Sequence, residues 1–440
     1  MATPNQQATS SIHPKGKDDP LRVLIAPSNF KESAHADTIA DWIERGVVQG
    51  MGDDKVVTKK CPIYDGGEGF VRGMVMAHGG VFRVSVVSGP LFSQSVPSQW
   101  GLINQGTTAV LEIASVAGLH LIPNEMRDIR FASSRGVGQL INIILKDPHI
   151  TKIIVGCGDS GVSDAGVGML LELGFAFLDA DRQKVVLAGG VPNFVAIHTI
   201  EAGETINRRL VHCRFNRSFP VLPTLLLVDT NMLAVANSPR DGAPLVQIEV
   251  VCNTDSVLVG PPGVVEVYGP QKGGRLEDVQ IMTMAMREFV NAVNRSPLLY
   301  DIDGNMPGSG ASGGIGAAML ALGAQALSRQ TAMCRYFNVR NIINHTPWDL
   351  IITAEGKLDQ QSTKGKALGA LMKMAKERNI PVVAIAGTVE PTCVDQSGLW
   401  AATSILTGPM PLPMAVMFTE VLVTEQSKQV IRLIRLGRRM

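Results

Sequence analysis

Two periods alternate at the start of the chain. Residues 21–27 are an aliphatic run that predicts a strand, with 28–33 as its exit loop. Ile39, Ile43 and Val47 then recur at helical spacing and stop at Gly50-Met51-Gly52. Residues 56–61 predict a second strand, which leaves through Tyr64-Asp65-Gly66-Gly67-Glu68-Gly69 into a helix from Phe70 to Gly79-Gly80. The strand-like runs 82–87, 98–103 and 109–113 have no helices between them, so a more antiparallel region begins there. A helix over 136–145 leads to a central strand at 152–155. Its glycine-dense exit runs into a helix that starts at Val167. Residues 174–179 predict a strand turning at Asp179-Ala180-Asp181. Residues 203–246 have no steady period and read as an insertion. Residues 247–252 form a strand, 253–274 a loop rich in glycine and proline, and 308–314 open a small-residue helix through Leu322. The last third alternates cleanly: strand 349–353, helix 365–377, strand 381–386, a short helix, strand 402–406 and a closing helix from 414.

The ends thus share a parallel βα pattern that the middle lacks. The expected architecture is α/β with two domains: a discontinuous parallel α/β domain from 21–90 and 290–440, and an inserted mixed α/β domain over 91–289. With 440 residues, two domains fit better than one. Residues 1–20 are polar, contain no arginine and no apolar run, and read as a disordered tail, not a signal peptide. No apolar run reaches membrane-spanning length, because 222–235 is broken by Pro223, Asp229 and Asn231. A net charge of +1 argues against nucleic acid as partner. The six cysteines (61, 157, 213, 252, 334 and 393) show no CxxC or metal spacing, as in a reducing compartment, and point to the cytoplasm.

Candidate chemistry starts in the loop from Gly156 to Gly168. A strand feeding a glycine loop feeding a helix presents bare backbone N–H groups that suit an anion. The same loop carries Asp159 and Asp164, which repel a phosphate unless a cation or a hydroxyl lies between them. It therefore suits a polar substrate with a metal or lysine. Gly156-x-Gly158-x-x-Gly161, with Asp179 and Asp181 about twenty residues on, matches the dinucleotide fingerprint, but its two carboxylates stand where a pyrophosphate would sit. Gly158-Asp159-Ser160-Gly161 and Gly310-x-Ser312-x-Gly314 echo serine hydrolases without the strand or histidine context those enzymes need. No GxxxxGK[ST] is present. What remains is dispersed. Lys31, Asp65, Glu68, Asp164, Asp255, Lys272, Glu355, Asp359 and Lys366 each fall in a glycine-rich or polar turn beside a predicted strand or helix end. Turns of this kind collect at the carboxyl ends of α/β strands, and the residue types suit phosphoryl transfer.

The same turns carry a family likeness. The segments are Ile25-Ala26-Pro27-x-x-Phe30-Lys31-Glu32-Ser33, Asp65-Gly66-Gly67-Glu68-Gly69, the Gly156 to Gly168 loop, Tyr268-Gly269-Pro270-Gln271-Lys272-Gly273, Gly313-Gly314-Ile315-Gly316-Ala317-Ala318, and Ile352-Thr353-x-Glu355-Gly356-Lys357-Leu358-Asp359-x-Gln361-Ser362-x-x-Gly365-Lys366. From about Leu21 onward, the chain resembles the ATP-dependent glycerate kinases of the glyoxylate-linked type, class I. The resemblance implies a two-domain α/β kinase with its site in the interdomain cleft, and D-glycerate and MgATP as substrates. The usual product in the family is 2-phosphoglycerate. Lys31 and Lys272 are then expected to bind carboxylate or phosphate, and Asp65 or Asp164 to accept the hydroxyl proton. Glu355 and Asp359 would hold Mg²⁺, and Gly156, Gly158, Gly313 and Gly314 would let backbone N–H groups approach phosphate. Ser28, Gly66, Gly67, Glu68, Asp159, Ser160, Asp255 and Lys366 complete the expected binding set. The chain departs from the family pattern at Ser28 and Asn253, where the family commonly has Asp, and at Ser163, where it has Asn. A kinase for a different hydroxy acid is the alternative. An NAD-dependent oxidoreductase and a non-catalytic binding descendant stand behind it, and a homo-oligomer stays open.

Overall fold

A computed structural model describes residues 19–30, 33–187, 190–207, 209–210, 245–359, 362, 367–392, 394 and 398–439. Lys31, Lys366, most of the expected tail and most of the 203–246 segment lie outside the described residues.

The strands, in chain order, are β1 (Leu21–Ile25), β2 (Val56–Lys60), β3 (Val81–Ser88), β4 (Ser95–Ile103), β5 (Thr108–Glu112), β6 (Lys152–Cys157), β7 (Phe175–Leu178), β8 (Thr199–Ala202), β9 (Gln247–Cys252), β10 (Gln325–Ser328), β11 (Leu350–Leu358), β12 (Val382–Val389) and β13 (Ala401–Ser404). They form a five-stranded sheet ordered β13-β12-β11-β1-β2, a six-stranded sheet ordered β10-β9-β6-β5-β4-β3, and a β7-β8 hairpin. The chain divides into two compact units. The first is Met1–Pro62, His345–Leu358 and Ala375–Met440; the second is Ile63–Asn344 with Asp359–Met374.

All pairs in the first unit's sheet are parallel, which agrees with the βα alternation at both chain ends. Ile39, Ile43 and Val47 bury one face of the helix Ala36–Met51 together with Val23, Ile25 and Ile352 of the sheet. That helix packs on the closing helix Thr419–Arg439 through two glycines. A Cβ on Gly46 would come 2.3 Å from the Thr424 carbonyl oxygen, and one on Gly50 2.8 Å from that of Lys428. Only hydrogen fits at either point.

The second unit's sheet is mixed. β10, β9, β6 and β5 run parallel, while β5-β4 and β4-β3 are antiparallel. The helix-free stretch of strands is thus the antiparallel part. The exchange between units falls at Ile63 and Asn344, so 63–90 and 290–344, expected with the chain ends, group with the middle. The reason is packing. The helix Phe70–His78 lies on β4 and β5, with Val75 filling the space a Cβ on Gly101 would need, and β10 extends the six-stranded sheet beside β9. Glu112, Cys157 and Cys252 close β5, β6 and β9 in adjacent registers, so the turns after these strands meet at one edge. Among the described residues no helix is long and apolar enough to cross a membrane.

Replacing Gly46 by valine places a branched side chain against the Thr424 carbonyl and the Ser427 side chain. We expect a loss of about 1–3 kcal/mol, read as a lower urea midpoint at unchanged slope.

Candidate functional site

The turn from Asp65 to Gly69 lies over the ends of β6 and β9. Gly66 has a φ of +94°, and a Cβ there would sit 2.5 Å from the Val251 carbonyl oxygen, so any side chain would lift the turn off the sheet. A Cβ on Gly67 would meet Asp159 Oδ2 at 2.2 Å and Asp65 Oδ1 at 3.3 Å, so these two carboxylates flank the same glycine. The Gly67 N–H donates to Asp65 Oδ1 (3.2 Å) and the Glu68 N–H to Asp159 Oδ2 (3.0 Å). Gly69, in the left-handed region, brings no side chain to cap the helix Phe70–His78. Glu112, at the end of β5, does so instead. Its Oε2 accepts the Val71 N–H (2.8 Å) and its Oε1 the Gly69 N–H (3.3 Å). Burial pushes the Glu112 carboxyl up to about 7, the two N–H groups pull it back, and the charges of Glu68 and Asp159 add to the rise.

After β6, the loop from Gly158 to Gly166 folds around Asp164, which is buried. Its Oδ2 accepts the Ser134 N–H (2.8 Å), the Ser134 hydroxyl (2.8 Å) and the Gly168 N–H (3.2 Å), and its Oδ1 the Gly166 N–H (3.1 Å). Ser134 Oγ in turn accepts the Met169 N–H (2.9 Å). The bare N–H groups expected to receive an anion at the helix Val167–Glu172 do receive one, and it is the chain's own carboxylate. Burial raises the Asp164 pKa against the pull of these donors. Asp164 therefore anchors two helix starts, this one and that of Arg135–Ile144.

Lys272 reaches the same loop from a short turn. Its Nζ donates to the Val162 carbonyl (2.6 Å) and to Ser160 Oγ (3.2 Å). Burial lowers its pKa to about 8, opposed by the charges of Asp164 and Cys157. Gly313 and Gly314 back onto the loop from the other side. A Cβ on Gly313 would lie 1.9 Å from the Val162 oxygen, and one on Gly314 2.7 Å from the Ala165 Cα. The Gly313 carbonyl accepts the Ala165 N–H (3.0 Å). Gly156 and Gly158 are equally hemmed in, by Phe70 with the Gly66 carbonyl and by Asn253 with Gly67. In this structure the close approach at all four glycines is to the chain itself.

The structure thus brings Asp65, Gly66, Gly67, Glu68, Gly158, Asp159 and Asn253 together, with Ser160, Lys272 and Asp164 in the adjoining loop. Asp255, two residues past Asn253, is exposed. Ser28 and Glu355 belong to the first unit. The Ser28 N–H and hydroxyl both donate to the Ala354 carbonyl, and Glu355 stands on β11 opposite Ala386. Asp359 groups with the second unit and accepts the Ser362 N–H (3.0 Å) and hydroxyl (3.1 Å). Among the described residues no three His, Cys, Asp or Glu side chains are grouped to hold a metal. Glu112 and Ser134 went unnoticed in the sequence. For Glu112 a signal existed: a single acid closes an otherwise apolar strand, Ala109-Val110-Leu111.

The dinucleotide fingerprint fails on topology. The strand after its helix, β7, pairs antiparallel with β8 in a hairpin and makes no parallel crossover, while Asp179 caps its own turn. Ser312 follows a turn, not a strand, which removes the nucleophile-elbow geometry.

The sequence signature described as the glycerate kinase family matches residues 23–225 and 233–435. The chain belongs to the glycerate kinase family. It is 32% identical to the glycerate 2-kinase of Escherichia coli (strain K12), over 88% of this chain and 91% of that protein. It is 31% identical to the glycerate kinase of Bacillus subtilis (strain 168), over 89% and 92%. A crystal structure from Salmonella typhimurium LT2, described as a candidate glycerate kinase 2, superposes with a TM-score of 0.70 at 28% identity, over 96% of this chain and all of that one.

Glu112 sets a pH signature of stability. Its folded pKa lies above the ordinary 4.5, so the folded state holds the proton more tightly between about 4.5 and 7. Stability should fall by about 3 kcal/mol as pH rises through that window, then level off. Glu112→Gln should flatten this slope in urea titrations run from pH 4.5 to 8.

Proposed function

We propose that this protein is an ATP-dependent kinase that phosphorylates D-glycerate, with 2-phosphoglycerate as product. The observation that carries this is the convergence of Asp65, Glu68, Asp159 and Asn253 on two side-chain-free glycines at the carboxyl edge of a sheet, in a chain of the glycerate kinase family.

In this reading Asp65 accepts the proton of the substrate alcohol. It flanks Gly67 and is half-buried, whereas Asp164 is buried with its lone pairs directed at four donors of the protein. Asp164 is a positioning residue for the loop that carries Asp159 and Ser160. Lys272 balances negative charge from behind this loop. Burial lowers its pKa, and the charge of Asp164 works against that fall. Mg²⁺ takes hard oxygen donors and usually only one or two protein carboxylates, and Glu68 on the Asp65–Gly69 turn and Asp159 on the loop after β6, joined by the Glu68 N–H to Asp159 Oδ2 bond, are of that chemistry. Glu355 and Asp359 are also proposed as Mg²⁺ ligands. When bound, the ion would neutralise phosphate charge. Lys31, expected to bind carboxylate or phosphate, and Lys366, expected in the binding set, lie outside the described residues, and Ser28 stays an expected substrate contact. The four described cysteines are free, which agrees with a cytoplasmic site of action.

A coupled ADP-release assay tests this. D-glycerate should be turned over in preference to larger hydroxy acids. No turnover of glycerate beside good turnover of another acid would end the assignment. Asp65→Asn should lower kcat by about 10²- to 10⁴-fold with an unchanged thermal midpoint.

A further inference from the structure

β3 ends the six-stranded sheet, and among the described residues no strand pairs with its outer side. Such edges are usually blunted by proline, lysine or a bulge, because their unpaired N–H and C=O groups invite another strand. β3, Val81-Phe82-Arg83-Val84-Ser85-Val86-Val87-Ser88, has none of these and pairs with β4 in unbroken register. Its one charge, Arg83, turns its guanidinium back to the Phe82 carbonyl (3.3 Å).

Opposed residues of an antiparallel pair alternate between exchanging hydrogen bonds and turning their backbone groups away. Several bonds fix which residues of β3 turn away. The Ser88 N–H goes to Gln139 Oε1 (2.8 Å), whereas the next residue, Gly89, donates across the hairpin to the Gln94 carbonyl (2.9 Å). Pro97, opposite Val86, has no N–H to give. Phe82, Val84 and Val86 therefore aim their backbone groups outward. Gly80 and Ser88, next in the same phase, are closed. The Gly80 N–H donates to the Val75 carbonyl (2.9 Å), and a Cβ on Gly136 would lie 1.8 Å from the Ser88 oxygen. The open edge thus stops at equal distance on both sides of Val84. Its side chains share one face and are 36%, 63% and 70% exposed at Phe82, Val84 and Val86, beside exposed Pro97 and Gln99. On the other face Val87 is buried and Ser85 accepts the Trp100 Nε1–H (3.1 Å).

An antiparallel edge that is symmetric about one residue is its own complement. We propose that β3 pairs with β3 of a second copy of this chain about a two-fold axis at Val84. Val84 then faces Val84, Phe82 faces Val86, and every open backbone group is used. An axis at Arg83 would set two guanidinium groups opposite each other, and one at Ser85 would bring Phe82 against Ser88, whose N–H is spent. The axis at Val84 sets Arg83 beside Ser85 instead. An interface one strand wide falls short of the ~800 Å² per partner of a standard complex, so the dimer forms at micromolar concentration and dissociates on dilution.

Sedimentation of the full chain tests this. Between about 1 and 200 µM, wild type should pass from monomer to dimer. Val84→Lys sets two ammonium groups against each other on the axis. It should raise the dimer Kd at least about 10-fold, with an unchanged thermal midpoint in dilute solution. Val86→Glu should also weaken the dimer, and adding Phe82→Lys should bring the Kd back to within about threefold of wild type. Positions 82 and 86 lie ~13 Å apart on one strand and meet only across the axis. A wild type that stays monomeric over this range would overturn the proposal. So would a dimer that Val84→Lys leaves intact, or a Val86→Glu loss that Phe82→Lys does not recover. A lowered thermal midpoint of dilute Val84→Lys would show that the chain itself covers this edge, and would overturn it equally. Should Val84→Lys fail to fold, the paired charges decide.

Discussion

The site hangs on one carboxylate bound by backbone. Asp164 accepts two N–H groups from its own loop and helix, and an N–H and a hydroxyl from Ser134. An anion at a helix start is ordinarily a ligand or a solvent ion. Here it is covalently part of the loop, so the loop cannot open without stranding a buried carboxyl group and several buried donors. The Ser134 hydroxyl passes the link on to Met169, which makes the starts of two helices a single object. Everything at the edge of the six-stranded sheet is placed relative to that object: Asp159 and Ser160 ahead of it, Gly313 and Gly314 behind it, Lys272 beside it.

Glu112 repeats the device on a neighbouring element. It too is a buried acid that supplies a helix start with the acceptor its own glycine cap lacks. Both acids are held by N–H groups, yet burial still tilts them toward the neutral form, and it tilts Lys272 the opposite way. The edge of the sheet therefore works at a lower effective polarity than its residue list suggests. A phosphoryl transfer gains from this, since charges facing a substrate act more strongly where water is scarce.

The glycines decide how closely these parts approach. Gly67 and Gly158 bring the turn after β2 and the loop after β6 together with room for only the Asn253 and Asp159 side chains between them. Gly313 does the same for the backbone of Val162. The spacing that looked like a nucleotide fingerprint is a record of chain-to-chain contact, and for that reason its glycines carry no helix crossover with them.

Local pattern determined much of this protein. Most of the strands, helices such as Ala36–Met51, Phe70–His78 and Arg135–Ile144, the parallel character of the chain ends and the antiparallel run in the middle follow from periodicity, whereas β8, β10 and the helices Val264–Tyr268, Leu276–Arg295, Arg329–Phe337 and Val339–His345 were not legible in it. The acids and lysines of the turns stood out as candidates only, and Asp164 and Lys272 turn out to serve the loop itself. Pairing across distance was not visible. That Phe70–His78 belongs with β4 and β5, that Glu112 caps it from a strand forty residues on, and that Asp164 serves as anchor were settled only by packing. The physical reason is that a hydrogen-bond partner is chosen by position in space. A strand's terminal acid and a loop's aspartate read alike in a sequence until the fold shows which donors surround each.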